Sequence, residues 1–269
     1  MNRTEAGILL EERVEQWAKD GDICVAFSGG VDSSVLLAAA VKAAVKEGRR
    51  VYAVTFHTKL HGMGDLEEAK KVVAELGAIH RIIEVDELEQ AGISHNPRNR
   101  CYLCKKALFV HLKELAASVG AAHCAEGTNE DDLHSWRPGL AALKELGIES
   151  PLAELGITKA LVRQLAEDWG ISVAHRPSSP CMATRLPYGT ALDYELLSRI
   201  DRGEQWLRGR LGGNVRLRLH GDVARIEVDR ENMARALELA PEAVSQLKTL
   251  GFHYIALDLE GFRSGSMDE

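Results

Sequence analysis

The chain has 269 residues, 45% hydrophobic and 27% charged, the balance of a globular protein long enough for one large domain or two smaller ones. A formal net charge of −7 and a pI near 5.8 argue against a nucleic-acid partner, which calls for a basic footprint. No apolar run reaches the ~18 residues that span a bilayer, and Met1-Asn2-Arg3-Thr4-Glu5 lacks an apolar signal core; no membrane partner and a cytoplasmic location are expected.

The first clear element is an apolar strand, Ile23-Cys24-Val25-Ala26-Phe27. Ser28-Gly29-Gly30-Val31-Asp32-Ser33-Ser34 follows, and then a helix-like run from Val35 to Val41. A strand, a tight glycine turn and a helix start make an anion site, because backbone N–H groups converge there and the helix dipole adds positive potential. Paired glycines let the backbone approach a phosphate closely. The stretch has neither the Lys-Ser/Thr ending of the Walker loop nor the spacing of the dinucleotide fingerprint.

A second strand covers Val51 to Phe56, and a helix starts near Asp65, a plausible N-cap. Leu66, Ala69, Val72, Val73 and Leu76 form its stripe and Gly77 its stop. His80 to Val85 reads as a strand, Cys101 to Val119 as a helix, and Ala122 to Gly127 as a further strand. Another helix runs from Thr158 to Trp169, closed by Gly170. This alternation predicts an α/β fold with a doubly wound parallel sheet. Ligands on such sheets bind at the carboxyl ends of the strands, near a switch in strand order.

The pattern changes near residue 190. A helix from Leu192 to Leu211 ends at Gly212-Gly213, and two alternating strands, Val215 to Leu219 and Ala224 to Val228, flank a hairpin turn at His220-Gly221-Asp222. Helices around Met233 to Leu239 and Pro241 to Leu250 precede a last strand, Tyr254 to Asp258. The expected division is therefore 1–190, an α/β domain, and 191–269, a small C-terminal α+β domain.

The loop Ser28, Gly29, Gly30, Val31, Asp32, Ser33, Ser34 resembles the SGGxDS motif of the PP-loop ATP pyrophosphatases. The resemblance implies that ATP is bound there and cleaved between its α and β phosphates, so that AMP activates a carbonyl oxygen. Glu126-Gly127-Thr128-Asn129-Glu130-Asp131-Asp132 resembles the GTNxDD element of the same enzymes. Gly127 and Thr128 would then approach the nucleotide, and a carboxylate such as Asp132 would hold Mg²⁺ against the pyrophosphate. Phe56, at the end of the second strand, suits either an adenine ring or the core. Lys159 and Arg163, at i and i+4 near a helix start, suit either pyrophosphate or a solvated face.

Five cysteines, an odd number, point to buried, metal-binding or reactive thiols rather than a disulfide scaffold. Cys24 and Cys124 lie in apolar or small-residue strands and read as structural. Cys101 and Cys104 share one helix face. Cys181 lies in the loop Ser178-Ser179-Pro180-Cys181-Met182-Ala183-Thr184-Arg185, where Arg185 would favour the reactive thiolate.

The segment Cys181 to Thr190 with Leu186-Pro187-Tyr188-Gly189, the strand pair Arg216 to Asp222 with Ala224 to Glu227, and the tail Gly261-Phe262-Arg263-Ser264-Gly265 are similar to the LarE family of ATP-dependent sulfur transferases. The resemblance implies a substrate, pyridinium-3,5-biscarboxylic acid mononucleotide, whose carboxylate is adenylated and then attacked by a cysteine sulfur, in biosynthesis of the nickel-pincer cofactor of lactate racemase. Cys181 would be the catalytic thiol. Arg216 and Arg218, two apart on one strand face, would clamp the nucleotide phosphate, with Arg263 and Arg185 as further cations. Glu204 and Glu227 are weaker candidates beside the thioester. Some members with three such cysteines are associated with a [4Fe-4S] cluster, which makes Cys101, Cys104 and Cys181 candidate metal ligands. A disulfide or persulfide pair, zinc, or an inert helical pair stay open for Cys101 and Cys104. A homo-oligomer, trimer or hexamer, is also implied. A tRNA thiolase, an ammonia-dependent amidating ligase and a nucleotide-binding regulator are the alternatives.

Overall fold

The computed structural model describes every residue except Met63, Ser178, Ser264, Asp268 and Glu269. Ser178 and Ser264, within two of the motifs above, thus lie outside the described residues. The chain divides into two compact units. The first comprises Met1–Thr58, Gly64–Gly92 and Asn99–Ser178; the second comprises Lys59–Met63, Ile93–Arg98 and Ser179–Glu269. The Cys181 loop, which the sequence reading groups with residues 1–190, falls in the second unit.

The first unit has a four-stranded parallel sheet in the order β3-β2-β1-β4. Its elements are α1 (Arg3–Asp20), β1 (Asp22–Ala26), α2 (Val31–Glu47), β2 (Val51–His57), α3 (Asp65–Leu76), β3 (Ile79–Glu84), α4 (Glu87–Gln90), α5 (Arg100–Val119), β4 (Ala121–Ala125), α6 (Glu130–Leu133), α7 (Gly139–Leu146), α8 (Pro151–Glu154) and α9 (Lys159–Asp168). Strand alternation sends Ile23, Val25, Val51 and Ala53 into one core with α1, α2 and α9. Cys24, Tyr52, Val54 and Cys124 go into a second core with Leu108, Phe109 and Leu112 of α5. Both faces are covered, as a parallel sheet requires. The sequence reading assigned no helix before Ile23; α1 nonetheless buries Leu10, Val14 and Trp17, a helical spacing visible in the sequence.

The strand order reverses between β1 and β4, so the loops leaving their carboxyl ends flank a switch point. Asp65 is not the N-cap of α3. Gly64 takes that place, and the Asp65 carboxylate instead accepts a hydrogen bond from Arg176 Nη2 at 2.6 Å.

The second unit contains α10 (Tyr194–Leu211), β5 (Val215–His220), β6 (Val223–Val228), α11 (Met233–Glu238), α12 (Ala240–Thr249) and β7 (Tyr254–Leu257). Its sheet runs β5-β6-β7, with β5 antiparallel and β7 parallel to β6. The hairpin turn is Gly221-Asp222, with Gly221 at φ +59°. Two short excursions brace the Cys181 loop. Met182 N donates to the Leu60 carbonyl at 2.8 Å, and the buried Asn96 amide donates to the Leu186 and Pro187 carbonyls at 3.2 and 2.9 Å.

Candidate active site

In the first unit, β1 delivers the chain into a turn at Ser28-Gly29-Gly30. Gly29 has φ +71°, and a β-carbon there would lie 3.0 Å from Ala69 Cα of α3. Glycine is therefore required twice over, by conformation and by space. Gly30 is the N-cap of α2 and makes no side-chain cap bond, so the first-turn amides of this 17-residue helix carry no side-chain acceptor of that kind. Ser33 and Ser34 donate to the Gly30 carbonyl at 3.1 and 2.8 Å, which holds the turn closed. Ser34 is fully buried and its amide donates to the Gly30 carbonyl at 3.0 Å, while Val31 belongs to the core and offers a ligand its backbone rather than its side chain. Ser28 is exposed, with its hydroxyl 3.2 Å from that of Ser33.

The loop after β4 closes directly on this turn. A β-carbon on Gly127 would lie 2.8 Å from the Ser33 amide nitrogen. Asn129 Nδ2 donates to Asp32 Oδ1 at 3.1 Å, and Lys159 Nζ donates to Asp32 Oδ2. Lys159 is thus positioned at the loop. Arg163 is not: it donates to the Ala174 and Arg176 carbonyls at 2.6 and 3.3 Å. Buried Glu126 accepts from the Thr128 hydroxyl at 2.8 Å, from Ser150 Oγ at 2.6 Å, and pairs with Lys105 at 3.4 Å. Thr128 is therefore tied into the base of its own loop.

The half-exposed Asp32 carboxylate fits a Mg²⁺ ion, which takes one or two carboxylates together with phosphate oxygens. Asp132 is turned elsewhere. It accepts from the Asn129 amide at 3.2 Å and pairs with Arg137 at 2.7 Å, and burial raises its carboxyl pKa above the ordinary value. Phe56 is half-buried against Phe109, ring centroids 6.1 Å apart, on the α5 side of the sheet.

Cys24 and Cys124 are register partners on β1 and β4 and both are buried. Burial pushes the Cys24 thiol up to about 12 and raises that of Cys124, which makes both inert. Cys101 is exposed in the first turn of α5, and Cys104, half-buried, donates to Glu87 Oε1 at 3.3 Å. Their thiol chemistry suits iron or zinc, but within either unit no three His, Cys, Asp or Glu side chains among the described residues are grouped as a metal site. The third candidate ligand, Cys181, belongs to the second unit.

In the second unit, Cys181 is half-exposed and caps a 3-10 turn, Met182–Arg185. Arg185 is 2% exposed and its guanidinium grips Glu204 through Nε at 2.7 Å and Nη2 at 2.9 Å. Its remaining nitrogen donates to Thr184 Oγ1 at 2.8 Å and to the Pro180 and Cys181 carbonyls at 3.3 and 3.4 Å. Glu204 and the loop carbonyls hold the Arg185 guanidinium, which thereby braces the Cys181 turn.

Arg216 and Arg218 do share a face of β5. Arg218 donates to Glu227 at 2.9 Å, to the Thr184 carbonyl at 2.9 Å and to the Arg263 carbonyl at 3.5 Å. Arg216 lies 5.1 Å over the Phe262 ring and donates to the Val215 carbonyl at 2.8 Å. Burial, then the Arg185 charge, pushes the Arg216 pKa down to about 10. Five guanidinium groups, of Arg185, Arg208, Arg216, Arg218 and Arg225, meet three carboxylates, of Glu204, Glu227 and Asp258. The cluster carries more positive than negative charge in a largely desolvated place, the electrostatic condition for holding a phosphate. Arg263 places its side chain on Glu260 and its carbonyl on Arg218. Sequence reasoning overlooked Arg176 and Glu87, since nothing in their neighbours marks a buried or loop-clamping role.

The parallel sheet, the glycine turn at the β1–α2 junction and the second loop packed on it define a PP-loop ATP-using enzyme. The model of the asparagine synthase family matches residues 5–98. The chain is 34% identical to the pyridinium-3,5-bisthiocarboxylic acid mononucleotide synthase of Lactiplantibacillus plantarum, over 92% of this chain and 89% of that one. It belongs to that family, the LarE sulfur transferases. An uncharacterized protein of Synechocystis sp. is 37% identical over 91% of each chain. The tRNA-specific 2-thiouridylase MnmA of Treponema denticola is 31% identical, but over 58% of this chain and 52% of its own. Among the described residues, no helix is long and apolar enough to cross a membrane.

Proposed function

We propose that this protein adenylates a carboxylate of pyridinium-3,5-biscarboxylic acid mononucleotide and converts it to a thiocarboxylate, in synthesis of the nickel-pincer cofactor. The observation that carries the reading is a buried, net-positive arginine cluster whose Arg218 and Arg185 hold the Cys181 turn, in a chain of this family. ATP is held at the Ser28–Ser34 turn, where the α2 amides and Lys159 meet its phosphates, and Mg²⁺ at Asp32 neutralises them when bound. The substrate carboxylate oxygen attacks the α-phosphorus and pyrophosphate leaves. The Cys181 sulfur then attacks the acyl carbon, and AMP leaves with the electron pair. Removal of the Cys181 α-proton breaks the Cβ–S bond, giving the thiocarboxylate and dehydroalanine. Arg216 and Arg218 hold the substrate phosphate.

Intact-protein mass spectrometry before and after incubation with ATP, Mg²⁺ and the dicarboxylate nucleotide tests this. The expected result is thiocarboxylate product with loss of the elements of H₂S at Cys181. Release of pyrophosphate without any thiocarboxylate overturns it.

A second reading rests on Cys101 and Cys104, thiols one turn apart at the start of α5. Together with Cys181 they would ligate a [4Fe-4S] cluster, whose chemistry would be to supply sulfide in place of the Cys181 sulfur. Anaerobically purified protein would then contain iron, Cys101→Ser would lose it, and product would form with Cys181 intact. Iron-free protein that consumes the Cys181 sulfur overturns this second reading. We further propose a homo-oligomer, trimer or hexamer, working in the cytoplasm; exposed Leu237, Tyr254 and Leu259 in the second unit support association, which light scattering measures.

A further inference from the structure

The Gly29–Gly30 peptide lies between two residues without β-carbons. That permits the tight turn, but it also makes the peptide easy to flip, since glycine tolerates both signs of φ. A flipped peptide would turn a carbonyl oxygen toward the place where the α2 amides gather, and carbonyl oxygen repels phosphate. Something outside the turn must therefore hold the peptide. One end is held within the motif, where the Gly30 amide donates to Ser28 Oγ at 3.3 Å. The other end is held from far along the chain, where Arg176 Nη1 donates to the Gly29 carbonyl at 2.9 Å.

Arg176 is itself well placed for this. Its Nη2 donates to Asp65 at the start of α3, and its own carbonyl accepts from Arg163 Nη2 at 3.3 Å. Its side chain is only 23% exposed, so the bond to Gly29 is partly shielded from water. The turn is thereby pinned between α3, whose Ala69 sits under Gly29, and a fixed guanidinium.

We propose that Arg176 is a positioning residue for ATP: it fixes the orientation of the Gly29–Gly30 peptide so that amides, not a carbonyl, face the β and γ phosphates. This rests on the reading of the Ser28–Ser34 turn as the ATP site. Arg176 itself touches no phosphate in this scheme, which separates it from Lys159.

The test compares ATP, pyrophosphate and AMP binding by calorimetry for wild type, Arg176→Ala and Arg176→Lys. Loss of one charge-assisted bond to the peptide weakens ATP and pyrophosphate binding by about tenfold in R176A, while AMP binding, which does not use the turn in the same way, stays within about twofold. Lysine keeps one donor for the Gly29 carbonyl, so R176K recovers most of the affinity. In turnover, KM for ATP rises more than kcat falls. Equal weakening of ATP and AMP in R176A, or wild-type ATP affinity in a folded R176A, overturns the proposal. Wild type that binds neither ATP nor pyrophosphate overturns the site reading itself, which is a different failure.

Discussion

Gly127, in the loop after β4, and Ser33, in the first turn of α2, stand so close that a β-carbon on Gly127 would come within 2.8 Å of the Ser33 amide nitrogen. The contact is backbone to backbone, so no side chain can swing aside. It locks the GTN loop onto the first turn of α2 and thereby sets where the amides of the PP-loop turn point.

Replacing Gly127 by alanine therefore pushes the two loops apart. We expect Gly127→Ala to cost about 1–3 kcal/mol of stability from overpacking, and to lower ATP-dependent pyrophosphate release by about a hundredfold, the cost of a misplacement near 1 Å. Thermal melts and a pyrophosphate assay read the two effects. Unchanged turnover would mean that the loops are not coupled in this way.

The Arg185–Glu204 pair is buried on both sides, at 3% and 1% side-chain exposure, with two short hydrogen bonds. Glu204 also accepts from the Leu217 amide at 2.8 Å. Glu204→Ala leaves a buried guanidinium without its counter-charge, which costs about 3–5 kcal/mol. The double variant Arg185→Met, Glu204→Met should lose less than either single change, since it removes both charges. Urea unfolding decides; a loss under about 1 kcal/mol for Glu204→Ala would put the pair among exposed, weakly coupled ones.

Cys181→Ala should separate activation from sulfur transfer. The PP-loop turn and Lys159 lie in the first unit and are untouched by the change. We expect pyrophosphate to be released in the presence of the dicarboxylate nucleotide, with no thiocarboxylate formed. Product formation by this variant would remove Cys181 from the reaction.

His80 bears on acid stability. Thr55 Oγ1 donates to the Phe27 carbonyl at 2.9 Å, so His80 Nε2, 2.8 Å from Thr55 Oγ1, must be the donor in that contact. Burial, then Lys70, lowers the His80 pKa below 6.5. The unfolded chain therefore binds the proton first as pH falls, and stability is lost from about 6.5 down to the lowered folded value. His80→Gln should flatten that part of the wild-type decline. Urea midpoints between about pH 7 and 5, the range in which histidine titrates, show it; parallel curves for the two proteins would contradict it.

Much of the molecule was readable in the chain because its signals are short. A strand, two glycines and a helix start occupy a dozen neighbouring residues, and their geometry follows from local backbone preferences. The same holds for the alternation that makes the sheet parallel and for the β5–β6 hairpin. Cys24 and Cys124 read as buried from their apolar neighbours alone, and they are.

Partner choice was not readable, because it is made between residues far apart. Arg185, beside a cysteine in sequence, turns to Glu204, 19 positions on, once α10 carries that carboxylate into the second unit's interior. Asp132 sits in a nucleotide-like motif yet spends its carboxylate on its own helix start and Arg137. Arg176 reaches Gly29 across 147 positions. The sequence by itself determined the glycine turn between β1 and α2 and the family, through residues adjacent in the chain. Only the tertiary structure decided which carboxylate each buried guanidinium meets, because a buried charge must find its counter-charge in space.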